Sequence, residues 1–516
     1  MRYLHNFFFL KILFFFGIGN LSSLAFNSNI IFLPLMIISV VSIFYFIYNN
    51  NLTIFRVFLI GCSYSFGQLF LGLYWISFAF EFTVSLGIWV GIIAVLCLAI
   101  VLSIFTGIFC ALSKYLKDLW RLNVFGYALL LSSLLSVGEY LRGSLFGGFP
   151  WNTLGYIWSQ SYVLMHPVSI IGIYGLGLIS FLGSIAFALF FYKIRYGFYA
   201  LLPLVIFLTY GGLELIFLSE KKNNFLAVRV VQPSIQQDEK WDEKLKTHHL
   251  EKLIKLSSLE INNFNPNIII WPESAFPYSS SLLEKQINIF DWLKANQILI
   301  TGATRTNFRN NKLINIYNSA YIIDNKAQNR AFYDKVKLVP FGEYNPLKKI
   351  INLGKITDGS LDFSKGKAVN TFNLKSLNYN IGLLICYEVI FSGKVVNGKR
   401  PDILINITND AWYGNTSGPI QHLAAARARA IEEGLPLVRA ANTGISAIIG
   451  ANGRFIERLE INKEGVLDVY VPISGKKTIF SIYGNKIYII ILMFMLMLAR
   501  FVFISKKIKL RKNVYE

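Results

Sequence analysis

Three segments of this chain place a thiol, a carboxylate and an ammonium at the ends of apolar runs. Cys386 closes IGLLIC (381–386) and is followed by Tyr387 and Glu388. A thiol there sits at the edge of a sheet where the chain must turn, and a thiolate is a strong nucleophile. Most free cysteines are small buried hydrophobes, which is how Cys62, Cys97 and Cys110 read inside apolar spans. Cys386 has no cysteine to pair with in the water-soluble half of the chain and stands out as a reactive thiol. Glu273 follows IIIWP (268–272). It reads either as a surface charge or as a carboxylate in a partly apolar pocket, where its proton affinity would rise as a general base for a thiol requires. Lys335 and Lys337 lie in FYDKVKLVPFGEY (332–344), ahead of Pro340 and Gly342. An ammonium beside a thiol would favour the thiolate and hold a later oxyanion; either lysine could instead be solvated.

Such residues need strands to position them. The stretches 225–232, 267–271, 298–302, 317–323, 381–385 and 403–407 are short, apolar and rich in β-branched residues, as buried strands are. Helical spacing over 238–261, 281–297 and 418–434 alternates with them. The expected class is α/β, sheets covered by helices on their outer faces.

Composition adds a membrane. The chain has 516 residues, 54% hydrophobic and only 15% charged, which is unlike an ordinary soluble protein. Seven runs near 7–25, 29–48, 57–80, 86–112, 124–141, 168–192 and 197–218, and an eighth near 487–505, reach the roughly 20 apolar residues a spanning helix needs. The expected domains are 1–220 with seven spans, a soluble 221–485, and 486–516 with the last span and a basic tail. The net charge of +21 then belongs to loops on the cytoplasmic face, and a nucleic-acid binder is excluded. With the N-terminus inside, Arg2, Arg56, Lys114, Lys117, Arg121, Lys193, Arg195 and the tail lysines all fall on that side, so 221–485 lies on the outer face and both termini are cytoplasmic. Arg2 ahead of an apolar run also fits a cleavable leader, but cleavage would spoil this asymmetry. Four cysteines without zinc-like spacing exclude a disulfide scaffold and a structural metal.

The segments IIIWPES, YDKVKLVPFGEY and GLLICYEVIF, in that order, resemble the Glu, Lys and Cys motifs of the nitrilase superfamily, and 406–444 (NITNDAWYG to AANTG) resembles the stretch after the nucleophile in that superfamily. With the spans, and with GEYLRGSLFGGFPWNTLGY (138–156), the chain is similar to the apolipoprotein N-acyltransferase family of the bacterial inner membrane. The resemblance implies an α-β-β-α sandwich on the periplasmic side. It makes Cys386 the nucleophile, Glu273 the general base and Lys335, with Lys337 a bystander, the oxyanion-stabilising cation. Trp241, Asn318, Glu343, Tyr387 and Glu388 match further pocket positions. The implied reaction moves a fatty acyl chain from a phospholipid, phosphatidylethanolamine by expectation, through a cysteine thioester to the α-amino group of an S-diacylglyceryl cysteine on an apolipoprotein. No cofactor or metal is expected, and the chain is expected to act as a monomer.

Two rivals share the sequence features: a membrane-tethered hydrolase that passes the acyl group to water, and a transporter or receptor with a nitrilase-like sensor. The second expects a polar pathway, and the spans hold few ionisable residues. The segments 278–283 and 347–353 could line a lipid entrance. His248 and His249 read as a solvated helix face, His422 as a hydrogen-bonding residue of the fold, and Glu139 with Arg142 as an ion pair or a headgroup contact.

Overall fold

The computed structural model describes residues 2–27, 29–81, 87–217, 224–278, 287–310, 312–325, 330–346, 362–367, 371–473 and 476–512. The chain divides into two compact units, one made of Met1–Tyr74, Ile92–Leu218 and Thr478–Glu516, the other of Trp75–Gly91 and Ser219–Lys477.

The first unit is helical. Helices α1 (Arg2–Ser23), α2 (Leu33–Asn49), α3 (Ile54–Gly72), α4 (Gly87–Trp120), α5 (Val124–Arg142), α6 (Val168–Tyr192) and α7 (Ile194–Phe217) cover the seven expected runs. Each contains a stretch long and apolar enough to cross a membrane. The eighth expected span falls on a helix over Lys486–Lys512, whose side chains are described as far as Phe501. Small residues let these helices close up, as in lipid they must. A Cβ on Gly19 of α1 would meet the Tyr64 carbonyl of α3, and one on Gly67 would meet that of Phe16, while Ser63 Oγ donates to Ile12 O at 2.7 Å. Glu139 and the buried Arg142, at the end of α5, bind backbone. Glu139 accepts from Leu154 N at 2.9 and 3.1 Å, and Arg142 donates to the carbonyls of Phe149 at 3.0 Å and Trp151 at 2.8 Å. They pin the loop of the 138–156 motif.

The second unit holds two six-stranded sheets. The first runs β12 (Gly465–Pro472), β1 (Phe225–Gln232), β2 (Ile268–Ile270), β3 (Ile298–Arg309), β4 (Lys312–Asp324), β5 (Arg330–Asp334). The second runs β11 (Phe455–Leu459), β10 (Ser446–Ile449), β9 (Leu437–Ala441), β8 (Ile403–Thr408), β7 (Tyr379–Ile385), β6 (Thr371–Leu374). Each sheet has a parallel triplet, β1–β2–β3 or β7–β8–β9, with antiparallel strands outside it. Five of the six triplet strands are apolar runs of the sequence, as strands covered on both faces are; β9 is not among those runs, and the run 317–323 is the antiparallel β4. Helix α8 (Lys246–Ser257) turns His249, Leu253, Leu256 and Ser257 inward. Helix α9 (Ser417–Glu433) is capped by Thr416, whose hydroxyl accepts from Gly418 N at 3.2 Å, and ends at the left-handed Gly434 (φ +62°).

Several expectations need correction. The helix over 238–261 begins only at Lys246, because 238–245 forms turns, and β3 and β4 extend well past 298–302 and 317–323 as a long hairpin. Within 281–297 the described residues make one 3₁₀ turn, Ile287–Phe290, followed by further turns. The run 57–80 is not one helix: α3 stops at Gly72, and Tyr74–Phe80 winds as 3₁₀. Trp75, assigned to the soluble unit, donates from Nε1 to Gln421 Oε1 at 3.2 Å and meets the Tyr413 ring edge-on at 4.4 Å. A Cβ at Gly418 would lie 2.9 Å from its indole, which makes that glycine necessary. Of the entrance segments, 279–283 and 347–353 lie outside the described residues.

Candidate active site

The carboxyl ends of parallel strands converge here, where open α/β sheets bind ligands. Cys386 follows β7 directly, Glu273 comes three residues after β2, Asn409 and Asp410 follow β8, and Lys335 follows β5.

Cys386 is 5% exposed and adopts φ +49°, a left-handed conformation that L residues avoid. Such a conformation persists when its surroundings over-determine it. Glu388 is part of those surroundings. Its Oε2 accepts from Ile385 N at 2.8 Å, while Oε1 accepts from Tyr333 Oη at 2.8 Å, Val336 N at 2.7 Å and Lys337 N at 3.0 Å. One buried carboxylate thus ties the nucleophile's turn to the segment that carries Lys335. The carbonyl of Cys386 is held from behind by His422 Nε2 at 3.2 Å and Asn406 Nδ2 at 3.5 Å. His422 Nδ1 lies 2.9 Å from Asp410 Oδ1, and Arg439 donates to Asp410 Oδ2 at 2.6 Å.

Opposite the thiol's turn lies a charged cluster. Glu273 Oε1 accepts from Asn318 Nδ2 at 2.7 Å and Lys335 Nζ at 3.2 Å, and Oε2 from Asn409 N at 2.8 Å. Glu343 Oε1 accepts from Lys335 Nζ at 3.0 Å and Asn318 Nδ2 at 2.9 Å, and its Oε2 from Val339 N at 2.8 Å. A second lysine, Lys240, is buried beside them and donates from Nζ to the Glu273 carbonyl at 3.1 Å.

These neighbours set the proton affinities. Burial pushes the Cys386 thiol up to about 12; the Glu273 charge adds to the rise, and Lys335 and the Thr408 hydroxyl offset only part of it. Burial also pushes the Glu273 carboxyl up, but Lys335, Asn318 and Lys240 together outweigh it and leave the group below the ordinary glutamate value. Burial opposes the charge on Lys335, yet Glu273, Glu343 and Cys386 hold that ammonium well above the usual lysine value. One expectation is corrected, since Glu273 gains no proton affinity; Lys335 does favour the thiolate, as expected, but burial and the Glu273 charge outweigh it. The arrangement suits a thiol that gives up its proton to a carboxylate as it attacks.

The sequence-assigned residues divide. Glu273, Lys335, Asn318 and Glu343 come together, and the charges of Glu273 and Lys335 act on Cys386. Glu388 lies beneath the turn as a brace. Tyr387 is buried with its ring 5.1 Å from that of Phe391. Trp241 is 40% exposed, its ring 5.7 Å from Lys240 Nζ. Lys337 meets the Phe391 ring at 5.2 Å. His249 is 4% exposed, against the solvated face expected for it, because it lies on the inward stripe of α8. Sequence reasoning missed Lys240, Thr408, Asn409, Asp410 and Arg439. Only the polar string NITND, closing the strand after the nucleophile's, pointed to three of them.

Comparison with known proteins identifies the family. Residues 227–475 match the carbon-nitrogen hydrolase family, and residues 18–186 match the apolipoprotein N-acyltransferase N-terminal domain. The apolipoprotein N-acyltransferase of Rickettsia prowazekii is 36% identical over 450 residues, covering 85% of this chain and 88% of that one. The protein of the same name from Rhodopseudomonas palustris is 34% identical over 464 residues, covering 85% of each. With one family matching the helical unit and the other the two-sheet unit, and with relatives that span both, this chain belongs to the apolipoprotein N-acyltransferase family.

Proposed function

We propose that the chain transfers a fatty acyl group from a phospholipid, phosphatidylethanolamine in the first instance, to the α-amino group of the S-diacylglyceryl cysteine that begins an apolipoprotein. Cys386 is the nucleophile, Glu273 the general base and acid, and Lys335 the cation at the oxyanion. The observation that carries this reading is the buried Glu273–Lys335–Glu343–Asn318 cluster whose charges act on a cysteine held at φ +49°.

In the first half-reaction the Cys386 sulfur attacks the ester carbonyl while its proton passes to Glu273. The oxyanion is held by Lys335 and the main-chain N–H of Tyr387. On collapse the ester C–O bond breaks, Glu273 returns the proton to the departing lysophospholipid oxygen, and a thioester remains. In the second, the neutral amine attacks the thioester, its excess proton passes to Glu273, and the C–S bond breaks. The thiolate recovers a proton from Glu273, so the carboxylate ends each half as it began. Because Lys335 and Asn318 keep Glu273 ionised, the base is ready before either substrate arrives.

The domain limits 1–220, 221–485 and 486–516, a periplasmic soluble domain and cytoplasmic termini belong to the same proposal. The limits rest on the apolar runs and the change of composition between them, and the orientation on the one-sided placement of Lys and Arg in short loops.

Purified protein incubated with phosphatidylethanolamine and no acceptor should gain one fatty-acyl mass on the Cys386 peptide, and Cys386→Ala should gain none. A diacylglyceryl-cysteinyl peptide should then discharge it. An adduct that only water removes would make this chain a hydrolase instead.

A further inference from the structure

Lys240 lies in the turns between β1 and α8, a stretch whose charges suggest a solvated face. It is nonetheless 6% exposed, and its Nζ donates to the main-chain carbonyl of Glu273 at 3.1 Å. The peptide it grips is tightly placed. Ser274 takes φ +49°, Gly302 N donates to Pro272 O at 3.1 Å, and a Cβ on Gly302 would collide with Ser274 N and Glu273 Cα. Lys240 and His249 line a small cavity beside Glu273, Ser274 and Asn442.

A lysine is taken out of water only where its charge has work to do, since an ammonium buried without compensation is strongly disfavoured. Lys240 faces Glu273 at the end of β2, Cys386 after β7 and His249 on α8, with Glu239 beside it in its own turn. Counting it, the cluster carries two carboxylates, Glu273 and Glu343, and two ammonium groups, Lys335 and Lys240. Lys335 is shared between both carboxylates, so Glu273 alone would have half a cation.

We propose that Lys240 is a positioning residue for the thiol chemistry: it fixes the Glu273 main chain and supplies the second positive charge that keeps the Glu273 carboxylate ionised. It exchanges no proton and forms no bond with substrate. Its own charge is the weaker of the two, because burial brings its ammonium down to about 8 while Glu273 and Cys386 hold it up. The thiol chemistry should depend on Lys240 at the acid end of the pH range, where protonation of Glu273 sets the limb and the Lys240 ammonium is fully charged.

This inference rests on Cys386 and Glu273 acting as proposed above, so its test uses a small alkylating reagent that needs no lipid. Iodoacetamide is applied to the full-length protein in detergent from pH 3 to 8, and modification of the Cys386 peptide is followed by mass spectrometry. Wild type should show an acid limb in the rate. In Lys240→Met that limb should move up by about one pH unit, with roughly tenfold slower alkylation below it, one unit being a tenfold change in the ionised fraction. Lys240→Arg, whose charge does not titrate in this range, should keep the wild-type acid limb. If Cys386 of wild type does not react at all, the underlying assignment fails. If wild type reacts and Lys240→Met follows the same profile, Lys240 has no such role. Should Lys240→Met not fold, Lys240→Gln decides in its place, and an acid limb at the wild-type position in that variant overturns the proposal.

Discussion

Cys386 stands between two buried polar clusters built from the same ingredients, and the contrast explains how one can move a proton while the other cannot. Behind it, Asp410 has both oxygens committed: Oδ1 to Thr408 Oγ1 at 3.0 Å and His422 Nδ1 at 2.9 Å, Oδ2 to Arg439 at 2.6 Å. Burial works against that charge, but Arg439 and His422 hold the carboxyl far below the usual aspartate range. The cluster ends on the nucleophile's main-chain oxygen and grips a backbone. In front, Glu273 is also bonded on both oxygens, but its charge acts on the thiol more strongly than that of Asp410 does. The thiol there stays protonated, pushed up to about 12, so a proton can pass to the carboxylate as sulfur bonds to carbon. A carboxylate matched to a guanidinium is a fixed strut. One that shares ammonium groups with a second carboxylate and faces a thiol is a base.

The comparison breaks most sharply at Glu273. Glu273→Gln keeps the size and one acceptor oxygen, enough for Asn318 and Lys335 on one side or Asn409 on the other, but it has no base. Acylation of Cys386 should fall by about 10² to 10⁴-fold, the usual contribution of a positioned base. The fold should survive, because Lys335 keeps Glu343 as its counter-charge. Stopped incubation with phosphatidylethanolamine and intact mass would measure this. Acylation at the wild-type rate in the glutamine variant would take the proton-moving role away from the front cluster.

On the other side, Asp410→Asn should act on stability first. It leaves Arg439 buried without its anion, a loss of about 3–5 kcal/mol for a broken buried pair. It should also flatten the acid response. A carboxyl depressed in the folded state adds stability that is present above its unfolded value of roughly 4 and disappears as pH falls through the folded one. Wild type should therefore lose stability in acid partly through Asp410, and the asparagine variant should lose less over that range. Thermal unfolding at neutral and acid pH reads both effects, and equal acid sensitivity in the two proteins would remove Asp410 from the account.

The two clusters were unequally legible. Glu273 and Cys386 could be read because each ends an apolar run, and the fold brings such ends together at the carboxyl edges of parallel strands. The pocket's electrostatics could not. Burial alone argues for a raised Glu273, whereas Lys335 and Lys240, 62 residues later and 33 earlier in the chain, reverse the sign. Lys240 and His249 were hidden in a charged stretch resembling one long solvated helix; in the fold that helix starts at Lys246 and turns His249 inward. Trp75 was hidden in an apolar run that outlasted its helix, since hydropathy does not mark where α3 stops at Gly72. The Asp410 and Arg439 partnership joins a strand end to the middle of its neighbour, and local spacing carries no trace of it.

The smallest effect lies where the clusters meet. Thr408 touches both, its hydroxyl 3.0 Å from Asp410 Oδ1 and bonded to the Cys386 side chain. Thr408→Val keeps the β-branched shape in a buried strand and removes that link. Asp410 keeps His422 and Arg439, so stability should fall by only about 0.5–1.5 kcal/mol, the net worth of one hydrogen bond. Acylation should slow by less than about tenfold, because the thiol retains its base and loses one weak partner. Thr408→Ser should restore both. If the valine variant is as damaged as Asp410→Asn or Glu273→Gln, the two sides of the cysteine act as one coupled network, and the division between strut and base does not hold.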